Sequence, residues 1–311
     1  MRRTLRVVFA AAALLAGTTL LLRANATSDA ELQLQLGSLL FEETRYREAL
    51  DAFDRAMQGE GRVGLQARKG KIRTALRLAE FDLAKTEAEA LRKQGSDDAE
   101  TLSLYGDAVW SFGHFDEADR AYAEAVKQAP DSSRARFGRA RTLGALNRLD
   151  EALDLALSAS AMAPRDGEIH ALVGELYRRQ NRYDEAANSY SSYINLLPNK
   201  DRSEKAAWAR AQVEFLESFE GIVPAQIDAE DLEARHTLPF KLVRDKIVVQ
   251  ARVNGSRLQD FVLDTGSEET VISRETAQRE RIRPVTYTLS AGVGEVGLRG
   301  LQLSRIRSLD L

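Results

Sequence analysis

The chain has no cysteine, three histidines and six prolines among its 311 residues. Without cysteine there are no disulfides, no thiolate metal sites and no cysteine nucleophile. That absence fits either redox compartment. His114, His170 and His236 are widely scattered, so a histidine metal centre is a poor fit, and no metal or cofactor is expected. His114 falls at a turn and His170 on a helix, where both read as ordinary surface or packing residues. No charge of one sign dominates. The 44 Lys and Arg against 47 Asp and Glu leave a formal charge of -3, and with no basic aromatic stripe nucleic acid is not an expected partner. Long apolar runs are absent after the first two dozen residues, so no later segment is expected to span a membrane.

What the front does contain is a basic start at Arg2, Arg3 and Arg6, an apolar run over 7–22, and small residues at Ala24 and Ala26. That order is the layout of a secretory signal peptide over residues 1–26; the alternative is an uncleaved signal anchor. In both cases the remainder is expected outside the cytoplasm, periplasmic or extracellular, with membrane attachment only if the segment is retained. Removing it takes away basic residues alone and makes the mature chain more acidic.

Internal repetition sets the architecture of residues 27–200. Pro130, Pro164 and Pro198 are 34 residues apart, as are Ala118, Ala152 and Ala186, the turn residues Phe115, Leu149 and Tyr183, and Gly106, Ala140 and Gly174. An earlier unit carries Gly37, Tyr46, Ala49, Phe53 and Ala56, and a weaker one Phe81, Ala84, Ala88 and Leu91. This pattern resembles the tetratricopeptide repeat: a small residue where two helices touch, an aromatic or leucine at the turn, and a proline where the second helix ends. Five such units predict a mainly α chain, an α-solenoid. Residues 201–220 read as a capping helix, with Ala207, Trp208, Ala211, Val213 and Leu216 available for burial. A solenoid of this kind implies a polypeptide substrate or protein partner on its surface.

Residues 221–237 read as a linker, after which the hydrophobic period shortens to that of strands. Strands are expected at 238–244, 246–253 and 258–263, with Asn254-Gly255 as the tight turn between the last two. Further strands are expected at 270–273, 285–290 and within 296–309, with a short helix near 274–279. The apolar Phe261-Val262-Leu263 runs straight into Asp264-Thr265-Gly266-Ser267. In this context residues 238–311 resemble the first part of a retropepsin-like aspartic peptidase domain, a small all-β acid-protease-like domain that is incomplete here. The later apolar-apolar-Gly strand of that family is not seen before Leu311, so a competent site is expected to need more chain or a partner.

The resemblance implies a catalytic role for Asp264. Such peptidases use two carboxylates that share one proton, one form activating water. A single Asp implies a homodimer through this domain. Gly266 allows the tight turn; Thr265, Ser267 and Thr270 would brace the loop. Gly292, Val293 and Gly294 fall where the family carries a mobile flap over the substrate. Two functions follow: peptide-bond hydrolysis aided by the solenoid, or a non-catalytic interaction scaffold of the cell envelope.

Overall fold

Every helix pair in the chain is hinged on a residue with positive φ. Thr44 (φ 61°), Ala79 (58°), Gly113 (76°), Asn147 (59°) and Asn181 (59°) each stand two residues before a second helix. In each turn the next residue donates its N–H five residues back, as Glu80 does to the Ala75 carbonyl at 2.9 Å and Arg182 to that of Tyr177 at 2.9 Å. The left-handed residue bonds three residues back, as Ala79 does to Leu76 at 3.3 Å. This is the Schellman arrangement, which satisfies the last carbonyls of the first helix and reverses the chain. The aromatic or leucine columns read from the sequence are the first residues of the second helices.

The computed structural model describes residues 29–224, 226–227, 235–265, 267, 270–291 and 298–311. The segment expected as an export signal, 1–26, lies outside them, as do Gly266, Gly292, Val293 and Gly294. Two compact units are resolved, the first ending at Ala163 and the second running from Pro164 to Leu311. Among the described residues no helix is long and apolar enough to cross a membrane.

The first unit contains α1 (29–42), α2 (Tyr46–Ala56), α3 (Arg62–Arg77), α4 (Phe81–Lys93), α5 (Ala99–Trp110), α6 (Phe115–Gln128), α7 (Ser133–Ala145) and α8 (Leu149–Met162). Of its first helices, α5 and α7 start on side-chain caps: Asp98 accepts from the N–H groups of Glu100 and Thr101, and Ser132 from that of Ala135, whereas α3 starts at Gly61 with no such cap. Second helices start instead with acid, such as Asp116-Glu117 and Asp150-Glu151, opposing the helix dipole. Ala49, Ala84, Ala118 and Ala152 are fully buried, which lets paired helices approach closely.

Packing between pairs alternates in size. Phe53 on α2 sits where a Cβ on Gly37 (α1) or Gly70 (α3) would strike its ring; Tyr122 on α6 does the same to Gly106 (α5) and Gly138 (α7). At the intervening position the second-helix residue is Ala88, and it clusters with Ile72 and Leu104. A large ring between two glycines therefore alternates with a small alanine between two aliphatic side chains, so that large meets small in each layer.

The second unit starts with α9 (Gly167–Arg179), α10 (Tyr183–Leu196) and α11 (Glu204–Glu217). α11 packs against α10, but its buried stripe is Ala206, Ala209, Ala211, Gln212 and Leu216. Ala207 and Trp208, expected inside, are exposed. The reason is register: the buried stripe runs through 206, 209 and 216, Leu216 joins Ala186, Ala187 and Tyr190 of α10, and Trp208 lies at the stripe's edge, partly exposed and edge-on to Tyr190 at 5.4 Å. β4 also packs against α11, and Arg305 lies over the Phe219 ring and donates to the Ser218 carbonyl.

The β region holds β1 (Lys241–Val243), β2 (Lys246–Val253), β3 (Gln259–Leu263), α12 (Arg274–Arg279), β4 (Pro284–Ala291), β5 (Leu298–Ser304) and β6 (Leu309–Asp310). One sheet has the order β1-β2-β3, with β6 also on β2; β4 and β5 form a second, antiparallel sheet. β1 is shorter than expected because Arg244 and Asp245 both take positive φ and make a two-residue reversal from Val243 to Lys246. Asn254 (φ 53°) and Gly255 (φ 72°) form the second turn. Residues 270–273 are not a strand, contrary to expectation: they lead to Ser273, whose hydroxyl caps α12 at the Thr276 N–H, 3.1 Å away.

Candidate functional site

The first helices α3, α5 and α7 lie side by side, α5 touching both neighbours. Residues at i, i+3, i+7 and i+10 share one helix face. That face carries Lys69 and Arg73 on α3, Glu100, Asp107 and Trp110 on α5, and Arg134, Phe137 and Arg141 on α7. Its charges interlock. The buried Lys69 ammonium reaches Asp98 at 2.8 Å and Glu100 at 3.0 Å; Arg73 pairs with Glu100 at 3.4 Å. Asp107 accepts from the Tyr122 hydroxyl at 2.5 Å and from Arg141 at 3.1 Å, and pairs with Arg134.

The surroundings move the proton affinities of Asp98 and Tyr122 far from their ordinary values. Burial alone would raise the Asp98 carboxyl, but the Lys69 ammonium, the Thr101 N–H and the hydroxyls of Ser96 and Thr101 hold it well below the usual carboxylate range. Burial, reinforced by Asp107, pushes the Tyr122 phenol well above its ordinary value, so it remains a hydrogen-bond donor. Asp107 is thus held in place by a neutral hydroxyl and two guanidinium groups. Because removing one partner of such a pair leaves the other desolvated, the network fixes side-chain positions more than it adds stability.

Beside it the Arg141 guanidinium lies 3.9 Å from the Trp110 ring centre. The Arg141 Nε–H and the Trp110 Nε1–H are both buried and donate to no protein acceptor. Adjacent unmatched donors are uncommon in native structures, since each carries a desolvation cost. None of this face was singled out from the sequence. The available signal was charge segregation: α3 holds six basic residues and α7 four, and neither holds an acid.

The residues singled out from the sequence lie elsewhere, in the second unit. Asp264 follows β3 directly and is exposed, as are Thr265, Ser267 and Thr270. The Ser267 N–H donates to the Asp264 carbonyl at 3.2 Å, closing a tight turn after the strand. Thr270 leads toward the α12 cap. Leu242, Ile247 and Leu263 stand directly opposite one another across β1, β2 and β3 and are all exposed, forming an apolar row that ends beside Asp264. β4 and β5 pair from Pro284↔Ser304 to Ala291↔Leu298, so residues 292–297 connect them. Among the described residues no cluster of three or more His, Asp or Glu has the arrangement of a metal site.

A tetratricopeptide-repeat family model matches residues 110–176. Small glutamine-rich tetratricopeptide repeat-containing protein 2 of Mycosarcoma maydis is 27% identical over 107 residues, which are 34% of this chain and 30% of that protein. The chain therefore spans less than a third of that relative's length. Among solved structures, a thermophilic tetratricopeptide-repeat protein of Thermus thermophilus superposes with a TM-score of 0.53 at 21% identity, covering 59% of this chain and 98% of that one. The helical array is a tetratricopeptide-repeat fold.

Proposed function

We propose that the array binds a polypeptide segment across the face of α3, α5 and α7. The observation that carries this reading is the Trp110–Arg141 stack with its two unmatched donors. Lifting the guanidinium off the indole opens both N–H groups to the carbonyl oxygens of an incoming backbone, while Trp110 and Phe137 offer apolar contact. Asp107, held from several sides, provides the fixed point from which Arg141 pivots. The chain has two tryptophans, Trp110 and Trp208, so a Trp208→Phe protein reports on this site by its own emission. Titration with a pool of unstructured peptides is expected to change that emission saturably, and Arg141→Ala to weaken binding about tenfold. Unaltered emission together with no binding by anisotropy rejects the proposal.

A second reading concerns Asp264. Its position in a tight turn directly after β3, beside an apolar row and in a chain with the β4–β5 hairpin, supports a retropepsin-like peptidase that hydrolyses peptide bonds. The second carboxylate would come from another copy of residues 238–311, with Gly292, Val293 and Gly294 in the flap and the repeat array recruiting substrate. With residues 1–26 acting in export, this work would take place outside the cytoplasm. Wild-type protein is expected to cleave unfolded polypeptides between about pH 3 and pH 7 and Asp264→Asn to be inert. Equal cleavage by both, or none by wild type, defeats this reading and leaves the binding proposal standing.

A further inference from the structure

We propose that α1 carries a second docking surface: its leucine stripe receives an amphipathic helix of a partner protein, one with lysine or arginine beside its apolar seam. This surface is separate from the α3–α5–α7 face and does not depend on the reading given for it.

Leu32, Leu36 and Leu39 have the i, i+4, i+7 spacing of one helix face and are 61%, 40% and 53% exposed. The repeat period shows what covers the same face on later first helices. On α3 the equivalent residues are Ala67, Lys71 and Thr74; Ala67 and Thr74 are fully buried, and Lys71 reaches Asp54 of α2 at 2.7 Å. On α5 they are Thr101, Tyr105 and Ala108, all buried, with Arg92 of α4 lying over the Tyr105 ring. On α7, Ala135 clusters with Ala125 of α6, and Arg139 pairs with Asp119 of α6 at 2.9 Å. In each case the preceding second helix is the cover. On α1 no described element takes that place, and the side chains left open are three leucines at the spacing of a helix–helix seam. The neighbour that fits is therefore another helix.

Charge around the stripe selects that helix. α1 carries Asp29, Glu31 and Glu42, all exposed, and neither lysine nor arginine. At 100° per residue, Glu31 and Glu42 border the stripe on one side and Asp29 on the other. The first bases beyond the helix are engaged, Arg45 with Glu43 and Glu48, and Arg47 with Glu80. Inside the array the signs are reversed: Lys71 and Arg139 offer base to acids on α2 and α6. A second copy of this chain stacked as a continuation brings acid to acid, because second helices such as α6, with four acids against two bases, and α8, with three acids and no base, are acid-rich. An anionic membrane surface meets the same repulsion. A basic amphipathic helix instead buries the leucines and finds opposite charge on both borders.

The test uses the full chain and three fluorescein-labelled helical peptides of one length, with leucine along the seam, alanine between, and lysine, glutamine or glutamate on the flanks. Anisotropy is expected to show the lysine peptide bound about tenfold more tightly than the glutamine peptide and the glutamate peptide bound least, the spread narrowing as salt is added. Leu32→Gln combined with Leu39→Gln is expected to weaken the lysine peptide about tenfold at an unchanged thermal midpoint, since both side chains are exposed. Should that variant melt early, Leu36→Gln alone carries the comparison. Leu157→Gln, at an exposed position on α8, is expected to leave binding intact. Equal affinity for the three peptides, or for wild type and the leucine variant, overturns the proposal. Binding lost in Arg141→Ala but kept in the leucine variant overturns it by returning the peptide to the α3–α5–α7 face. Three further outcomes overturn it by naming another occupant. Leucine-dependent binding to phosphatidylcholine–phosphatidylglycerol vesicles with no peptide bound gives the stripe to lipid, and a leucine-dependent dimer in sedimentation gives it to a second copy. Peptide binding that appears only once residues 1–26 are removed gives it to the chain's own front segment.

Discussion

Ala79 sits with φ at 58° in a turn whose counterparts are Thr44, Gly113, Asn147 and Asn181. For an L-residue with a Cβ that conformation costs about 1–2 kcal/mol, and only glycine, or a residue such as asparagine, adopts it readily. Ala79→Gly is therefore expected to stabilise the chain by about 1 kcal/mol, read as a higher thermal midpoint; a lower midpoint would show that the turn is not strained. Thr44 and Ala79 also mark a boundary of legibility. The buried alanines and turn aromatics stand out by type and spacing, whereas nothing in threonine or alanine announces a left-handed turn. Asp98 supports a second expectation at this scale. Its folded-state pKa is depressed, so its charge stabilises the native state above the unfolded carboxylate value and that contribution is lost as pH falls through the folded one. Asp98→Asn keeps a helix cap and removes the charge. Its thermal midpoint is expected to lie below wild type at neutral pH, with the gap closing as pH drops below about 4. Since the side chain is half exposed, the gap is modest.

Helix against helix, the informative contact is Tyr122 between Gly106 and Gly138. Gly138→Ala improves helix propensity by up to about 1 kcal/mol, yet its Cβ enters the Tyr122 ring, and overpacking of this sort costs about 1–3 kcal/mol. The variant is expected to melt lower than wild type. Adding Tyr122→Leu should recover much of the loss in a double-mutant cycle; simple additivity would show that the ring is not the obstacle. Gly37, Gly106 and Gly174 were readable because they recur in the slot where the helices of one pair touch. Gly70 and Gly138 were not, because each serves the preceding pair's aromatic residue and sits two positions earlier in its own helix. The same kind of register error misplaced Ala207 and Trp208, where a shift of one residue turns a helix by 100°. In the β region alternation identified β2, β3, β4 and β5, but 270–273 carries strand-forming residues with no neighbour to pair with among the described strands.

For the molecule as a whole, the 34-residue spacing made the helical array legible without coordinates, because each helix pair must bury the same surface against the next. The binding face was not legible in the same way, since its members vary from one pair to the next and acquire meaning only when α3, α5 and α7 are set side by side. The Asp264 loop was the reverse case: its residue types were conspicuous, and the structure adds its exposed setting and the apolar row beside it. The alternation of Phe53 and Tyr122 with Ala88 has a consequence for how such a chain changes length. Losing or duplicating one helix pair would press an aromatic ring onto aliphatic neighbours or leave a glycine facing a void. Gain or loss of two pairs keeps both fits. Phe53 and Tyr122 are 69 residues apart and Tyr122 and Tyr190 are 68, so copy number in this lineage is expected to drift by even counts.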